Sequence, residues 1–247
     1  MQRNICVHIA YDGSDFSGWQ RQAHQRTVQE TIEERLEQMH RSAVVLMGAG
    51  RTDTGVHAYA QVANFYTTIE RMNPEQFVPA LNKLLPQDVR ILKAFLVPPS
   101  FHARFNAVSR TYRYYIVCGR AALPHELRYA HQLWRIPQLE RLNSYARALR
   151  GERDCSIFAA STDKSRSKNR FISQAFFYMD NGFLIFEITA NAFLQKMVRS
   201  IVGTLLFYEE KGYSVPAFEH VLQSGDRSQA GPTIAPNGLF LCHVTYG

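Results

Sequence analysis

Hydrophobic and polar positions in the first part of the chain follow two different periods. Apolar runs and two-residue alternation predict strands at 3–11, 44–47, 60–65 and 88–95. Helical spacing begins after Thr27, whose distance in sequence from Glu30 is that of a capping box. A second helix is predicted from Asn73 and Pro74, because Asn favours the N-cap and Pro the first helical position. The order strand–helix–strand–strand–helix–strand is that of a split βαβ unit.

The rest of the chain repeats this order of elements only in part. Strand patterns occur at 108–117, 170–179, 183–190 and 239–246, and helical patterns at 137–150, 192–211 and 216–224. The tripeptide Asp180-Asn181-Gly182 predicts a tight hairpin turn. We therefore expect an α+β fold of two similar split βαβ halves, of the ferredoxin-like or RRM-like kind. The N-terminal half is placed at 1–105 and the C-terminal half at 106–247.

Composition narrows the class of protein. The chain has 247 residues, 46% of them hydrophobic, which is enough for a sizeable core in one or two domains. Its apolar stretches are shorter than a membrane span, and its N-terminal sequence lacks the pattern of a secretory signal. The cysteines are scattered without a Cys-x-x-Cys pair, at Cys6, Cys118, Cys155 and Cys242. Neither a zinc site nor a disulfide framework is favoured, and we expect a cytoplasmic protein.

Charge points to a polyanionic partner without establishing one. Lys and Arg outnumber Asp and Glu by 28 to 21, which gives a formal net charge of +7. The basic residues form two groups along the chain, one at Arg104, Arg110 and Arg113 and one at Lys164, Arg166, Lys168 and Arg170. Aromatic residues accompany the first group, a mixture that grips phosphates and stacks bases. The alternative is an excess of surface cations without a specific partner.

The segment from Gly48 to Ala58 carries the most concentrated chemistry. It combines three glycines with Arg51, Asp53 and His57. A nearby arginine favours the ionised form of a carboxylate, which suits a nucleophile better than a general acid. Asp and Gly are also common in ordinary turns, and Asp-Thr-Gly is the tripeptide of aspartic proteases. Protease chemistry needs two carboxylates that share a proton, so a chain with one such tripeptide would have to act as a homodimer.

Several motifs resemble the TruA family of tRNA pseudouridine synthases, in family order over nearly the whole chain. They are Tyr11-Asp12-Gly13-Ser14-Asp15-Phe16-Ser17-Gly18-Trp19-Gln20, Gly50-Arg51-Thr52-Asp53-Thr54-Gly55-Val56-His57-Ala58, Ala80-Leu81-Asn82-Lys83-Leu84-Leu85-Pro86, Phe101-His102-Ala103-Arg104, Arg110-Thr111-Tyr112-Arg113-Tyr114, Asn191-Ala192-Phe193-Leu194-Gln195-Lys196-Met197-Val198-Arg199 and Ala235-Pro236-Asn237-Gly238-Leu239. The chain departs from the family pattern at 153–158, where Asp154 and Phe158 remain of a His-Asp-Phe element, and at Thr54, where Ala is commoner.

The resemblance implies isomerisation of uridine to pseudouridine in the anticodon arm of tRNA, at positions 38, 39 and 40. It implies Asp53 as the nucleophile, with Arg51, Tyr112 and Arg199 also in the active site. The residues expected to bind substrate are Tyr112, Arg104, Arg110, Gly55 and His57. A homodimer without cofactor or metal is implied. Within each chain, the two split βαβ halves are expected to form one continuous antiparallel sheet with a central active-site cleft. The alternative function is an RNA-binding module without catalytic activity.

Overall fold

The structure, a computed structural model, describes residues 2–247. The helices and strands follow in the order β1 (Arg3–Tyr11), α1 (Val28–His40), β2 (Met47–Gly48), β3 (His57–Thr67), α2 (Phe77–Leu84), β4 (Val89–Val97), β5 (Ala107–Cys118), α3 (Pro124–Leu127), β6 (His131–Leu133), α4 (Leu139–Ala148), β7 (Gly151–Asp154), β8 (Asn169–Asp180), β9 (Phe183–Ala190), α5 (Met197–Glu210), α6 (Val215–Ser224) and β10 (Leu239–Tyr246). The α+β class expected from the sequence is confirmed.

The chain divides into two compact units. The first comprises the residues up to Val108 together with Phe240–Gly247, and the second comprises Ser109–Leu239. The domains drawn from the sequence differ from these units in the last residues of the chain. The reason is that β10 pairs with β3, which brings the C-terminus to the first unit.

The first unit has the strand order β4-β1-β3-β10, with the short β2 also on β3. The β4–β1 and β1–β3 pairs are antiparallel, whereas β3 and β10 are parallel. Helix α1 begins as predicted, because the Thr27 hydroxyl accepts a hydrogen bond from the Glu30 N–H at 3.4 Å. Its apolar stripe of Val28, Ile32 and Leu36 is fully buried in the core.

The strand predicted at 44–47 is wrong over most of its length. Only Met47 and Gly48 pair with β3. Two side chains of α1 hydrogen-bond to the backbone N–H and carbonyl of Leu46, which in a strand would pair with a neighbouring strand. The Leu46 N–H donates to Glu33 Oε1 at 2.9 Å, and its carbonyl accepts from Gln29 Nε2 at 3.1 Å. An apolar run therefore becomes an anchored loop, because hydrophobicity does not reveal where backbone hydrogen bonds go.

The second unit has the strand order β5-β9-β8-β7, with antiparallel neighbours, and β6 lies parallel to β5. The predicted hairpin is confirmed between β8 and β9. Asn181 and Gly182 both adopt positive φ, 48° and 81°, as a type I′ turn requires. Strands β6 and β7 and helix α3 were not predicted, since three or four residues are too few to show a period.

The long helix predicted at 192–211 begins later, at Met197. The residue before it, Lys196, is left-handed with φ 62°, and the N–H of Gln195 donates to the Asp163 carboxylate at 2.8 Å. The start of the apolar pattern is therefore held as a loop by a distant side chain. No helix in the described part of the chain is long and apolar enough to cross a membrane. Within the same residues, no group of three or more His, Cys, Asp or Glu is placed to hold a metal ion.

Candidate active site

The loop between β2 and β3 carries Arg51 and Asp53 and is fixed at both ends by hydrogen bonds. At its start the Ala49 N–H donates to the Val62 carbonyl at 2.7 Å. At its end the Val56 N–H donates to the Asp53 carbonyl at 3.1 Å. Gly55 has φ 76°, the left-handed conformation that favours glycine, within the turn that leads into β3.

The Tyr11–Gln20 segment clamps this loop from the side. The Trp19 N–H donates to the Thr52 carbonyl at 3.1 Å, and the Tyr11 hydroxyl is hydrogen-bonded to the Thr52 hydroxyl at 2.8 Å. Burial raises the pKa of the Tyr11 phenol, which therefore stays neutral. Asp53 thus follows a buried, doubly held residue while its own side chain remains partly exposed.

Two glycines make this close packing possible. A Cβ on Gly13 would lie 2.0 Å from the Val56 carbonyl oxygen. A Cβ on Gly18 would lie 2.6 Å from the Thr52 carbonyl oxygen, and Gly18 also has φ 88°. Sequence reasoning found these glycines only as part of a motif and assigned them no role. Their role is to let one backbone lie against the other behind Asp53.

Arg51 lies two residues before Asp53 and is not paired with it. Its side chain is exposed and makes no hydrogen bond or ion pair with any residue in 2–247. The guanidinium is therefore available to an external anion. Carboxylate and phosphate groups are the anions whose geometry matches such a planar, five-donor cation.

His57 is fully buried at the first position of β3. Its Nδ1 accepts a hydrogen bond from the Gly13 N–H at 3.0 Å. Its ring stacks on Phe240 with 4.6 Å between centroids, and Phe240 also stacks on the half-exposed ring of Tyr59 at 4.7 Å. These contacts give His57 a role in positioning the loop that precedes it.

The second unit carries Tyr112 and Arg110 on β5. Tyr112 is 7% exposed, and its ring meets Phe193 edge to face with 5.0 Å between centroids. Arg110 is also buried, and its guanidinium donates to the Asn191 carbonyl at 2.7 Å. Both side chains therefore brace the segment that precedes α5.

Arg199 lies in the first turn of α5. Its Nε donates to the Ile234 carbonyl at 2.8 Å, and the Tyr114 hydroxyl donates to the neighbouring Ala235 carbonyl at 2.7 Å. Burial raises the pKa of Tyr114, and the charge of Arg199 opposes that rise. The two side chains fix the backbone at 234–235 against β5 and α5.

The basic residues that cluster in the sequence differ in the structure, because some are paired with an acidic residue and others are exposed. Arg113 is paired with Glu187 at 2.7 Å, and Lys168 is paired with Asp163. Lys164 and Arg166 are exposed in the loop that precedes β8. Counting charges along the sequence could not separate these cations, because pairing depends on the fold. Glu187 lies opposite Arg113 on β9, and Asp163 contacts Lys168 within the loop before β8.

Together these observations describe an α+β protein in which a glycine-rich loop, held by hydrogen bonds, carries the partly exposed Asp53 and the exposed Arg51. A family model described as tRNA pseudouridine synthase matches residues 7–106 and 145–247. The chain belongs to the tRNA pseudouridine synthase family.

Individual relatives agree with the family match. Over 250 aligned residues the chain is 49% identical to the tRNA pseudouridine synthase A of Treponema denticola. The alignment covers 99% of this chain and 93% of the relative. It is 40% identical over 244 residues to the protein of the same name from Borrelia duttonii, with 99% of each chain covered. For the Francisella tularensis subsp. novicida protein of that name, identity is 38% over 247 residues, covering 99% of this chain and 94% of the relative.

Proposed function

We propose that this protein converts uridine to pseudouridine in the anticodon arm of tRNA, at positions 38, 39 and 40, with Asp53 as the nucleophile. The observation that carries the proposal is the Asp53 loop. The neighbouring Thr52 is held through its hydroxyl by Tyr11 and through its carbonyl by Trp19, while Asp53 is partly exposed. A carboxylate fixed in this way loses little conformational freedom when it meets a reacting atom.

The proposed reaction is an isomerisation and needs no redox partner or group donor. The N-glycosidic bond breaks, the uracil turns, and a carbon–carbon bond forms between the ribose and the base. A carboxylate can attack the ribose C1′ or the uracil C6, or assist a glycal intermediate. All three routes require the ionised form of Asp53.

Arg51 is proposed to contact the RNA. The target base must leave its stack before Asp53 can reach it, which costs a few kcal/mol. An exposed guanidinium two residues from Asp53 can hold the opened pair apart and bind a phosphate. Arg104, which is exposed in the loop after β4, is proposed as a second phosphate contact.

Tyr112 and Arg199 are proposed to act in the same reaction, on the strength of the family resemblance. The Tyr112 ring offers a face for the uracil, and its hydroxyl can move a proton. Arg199 is proposed to supply a cation in the reaction. Gly55 lets the loop turn, and His57 and Arg110, which are both buried, position backbone close to the substrate.

The direct test incubates unmodified tRNA with the wild-type protein and with Asp53→Asn. We expect pseudouridine with the wild type and none with the variant. If the wild type bound tRNA but formed no pseudouridine, the alternative of an RNA-binding module would replace the proposal. Peptide cleavage without tRNA binding would favour the dimeric protease.

We also propose that the protein acts as a cytoplasmic homodimer. Exposed apolar side chains accumulate in one stretch of the second unit, at Leu123, Leu127, Tyr129, Trp134 and Ile136. Solvent exposure of so many large apolar groups in a short stretch is typical of a protein–protein interface. Light scattering should give twice the chain mass of 28.3 kDa, and a monomeric mass would contradict the dimer.

A further inference from the structure

The loop after β4 holds one aromatic ring far out in solvent. Phe105 is 77% exposed, although it follows the buried Ala103 by only two residues. A single exposed apolar side chain is common on protein surfaces. What distinguishes Phe105 is how firmly the protein holds the backbone beneath it.

Two buried asparagines fix this loop to the sheet of the first unit. Asn64 on β3 donates to Asn4 on β1 at 2.9 Å, and both side chains are almost completely inaccessible to solvent. Asn4 donates in turn to the Phe101 carbonyl at 2.9 Å. Asn64 accepts from the Ala103 N–H at 2.9 Å. Buried amides that are hydrogen-bonded to each other and to one loop specify its conformation strongly.

A second set of hydrogen bonds closes the tip of the loop. The Tyr246 hydroxyl donates to the Ala103 carbonyl at 2.8 Å. The His102 N–H donates to Asn106 Oδ1 at 2.7 Å, and the Asn106 N–H donates to the His102 carbonyl at 3.0 Å. The position of Phe105 is therefore set before any partner arrives, which lowers the entropy cost of binding.

The side chains around Phe105 match single-stranded RNA. The His102 ring lies against Phe105 with 4.3 Å between centroids, and the Arg104 guanidinium is 5.9 Å from the Phe105 centroid. An exposed aromatic face stacks with a base, and an adjacent guanidinium binds a phosphate. The net charge of +7 and the match to the tRNA pseudouridine synthase family favour a nucleic acid as the partner of this aromatic and cationic pair.

We propose that Phe105, braced by His102 and beside Arg104, is a stacking platform for an unpaired tRNA base other than the reacting uridine. Asn64 lies seven residues beyond His57 on β3, so the platform is anchored roughly 20 Å from the start of that strand and its Asp53 loop. The identity of the RNA rests on the proposed function. The platform is a binding contact, and it sets how the tRNA lies across the first unit.

The test measures the Kd of unmodified tRNA by filter binding for Phe105→Ala, Phe105→Leu and Phe105→Trp. Alanine should raise the Kd about 5- to 150-fold, the range for loss of one stacked base. Leucine keeps apolar volume without an aromatic face and should bind nearly as weakly as alanine. Tryptophan should bind at least as tightly as the wild type.

Binding is measured without turnover, so the inference and the proposed function can fail separately. A wild-type protein that binds tRNA but makes no pseudouridine would overturn the function, while the three variants would still decide the role of Phe105. Pseudouridine formation with an unchanged Kd for Phe105→Ala would overturn the platform alone. Full recovery by leucine, or a change of oligomeric mass in light scattering, would place the ring in a protein contact and also overturn it.

Discussion

Gly13 and Gly18 allow the Tyr11–Gln20 segment to lie close to the Asp53 loop, because glycine has no Cβ. Gly13 and Gly18 lie against the carbonyl groups of Val56 and Thr52, at distances where a Cβ would overlap an oxygen. At this scale the Asp53 loop is shaped by backbone packing against the Tyr11–Gln20 segment. His57, which the family resemblance implied as a substrate-binding residue, is fully buried and accepts a hydrogen bond from the Gly13 N–H.

Replacement of Gly13 tests this packing. Gly13→Ala should destabilise the protein by about 1–3 kcal/mol, because the Val56 backbone must move to admit the methyl group. Urea unfolding measures the change. Gly50→Ala is the matched control, since a Cβ there meets no atom within 4 Å, and it should stay within about 0.5 kcal/mol of the wild type. Equal stability of the two variants would contradict the account.

The Tyr112 hydroxyl can be separated from the Tyr112 ring. Tyr112→Phe keeps the ring that packs on Phe193. Binding of tRNA should therefore survive, while turnover should fall by about 100-fold or more if the hydroxyl moves a proton. Single-turnover rates and Kd values report the two effects. Tyr115→Phe removes a phenol from the same strand and should change neither; unchanged turnover in Tyr112→Phe would remove the hydroxyl from the mechanism.

At the scale of elements, the loop before β8 is hydrogen-bonded to the segment that leads into α5. Asp163 accepts from the Gln195 N–H and is paired with Lys168. Burial alone would raise the pKa of this carboxyl, but the Lys168 ammonium and the N–H groups of Gln195 and Ser165 outweigh burial and hold the pKa well below its usual range. The ionised carboxylate thus stabilises the folded state.

Acid should weaken the interactions of Asp163 with Gln195 and Lys168. An aspartate in the unfolded chain titrates near pH 4, so the contribution of Asp163 is complete above about pH 4 and declines as the pH falls towards the lower folded pKa. Asp163→Asn should be less stable than the wild type at pH 7, with a smaller difference at pH 3. Urea midpoints at both pH values, with Asp180→Asn as the exposed control, measure this. A difference that does not change with pH would contradict the role of the charge.

Elements with a strong local signal were predictable from the sequence. The capped helix after Thr27 and the Asn181-Gly182 hairpin are fixed by residues close together in the chain. The loop at 44–46 and the late start of α5 were not, because Glu33 and Asp163 reach them from a distance. The site followed the same rule: Asp53 was recognisable by its motif, whereas the support from Tyr11 and the buried state of His57 required the fold.

At the scale of the whole molecule, the net charge of +7 suits a polyanionic substrate. Pairing of Arg113 and Lys168 reduces the cations available to RNA, while Lys164 and Arg166 stay exposed. Binding of tRNA should therefore depend strongly on salt, through a limited set of side chains.

Lys164 and Arg166, in the loop before β8, should account for part of the salt dependence of tRNA binding. Replacement of both Lys164 and Arg166 by alanine should lower the slope of log Kd against log salt by about 1–2, as expected for one or two lost phosphate contacts. Filter binding over a salt series measures the slope. Replacement of the exposed Arg71 and Lys83 removes the same charge from another surface and should change the slope less. Equal changes in slope for the two double variants would show that the loop before β8 contributes only through net charge.

We propose that Asp53 is the nucleophile that forms pseudouridine at positions 38, 39 and 40 of tRNA. Position-resolved mapping of pseudouridine in an unmodified tRNA carrying uridine at 38, 39 and 40, after single-turnover reaction with the wild type and Asp53→Asn, tests it most directly. The account predicts modification at those positions by the wild type and none by the variant, with tRNA binding retained in both. Modification by Asp53→Asn, or modification by the wild type only elsewhere in the tRNA, would contradict it.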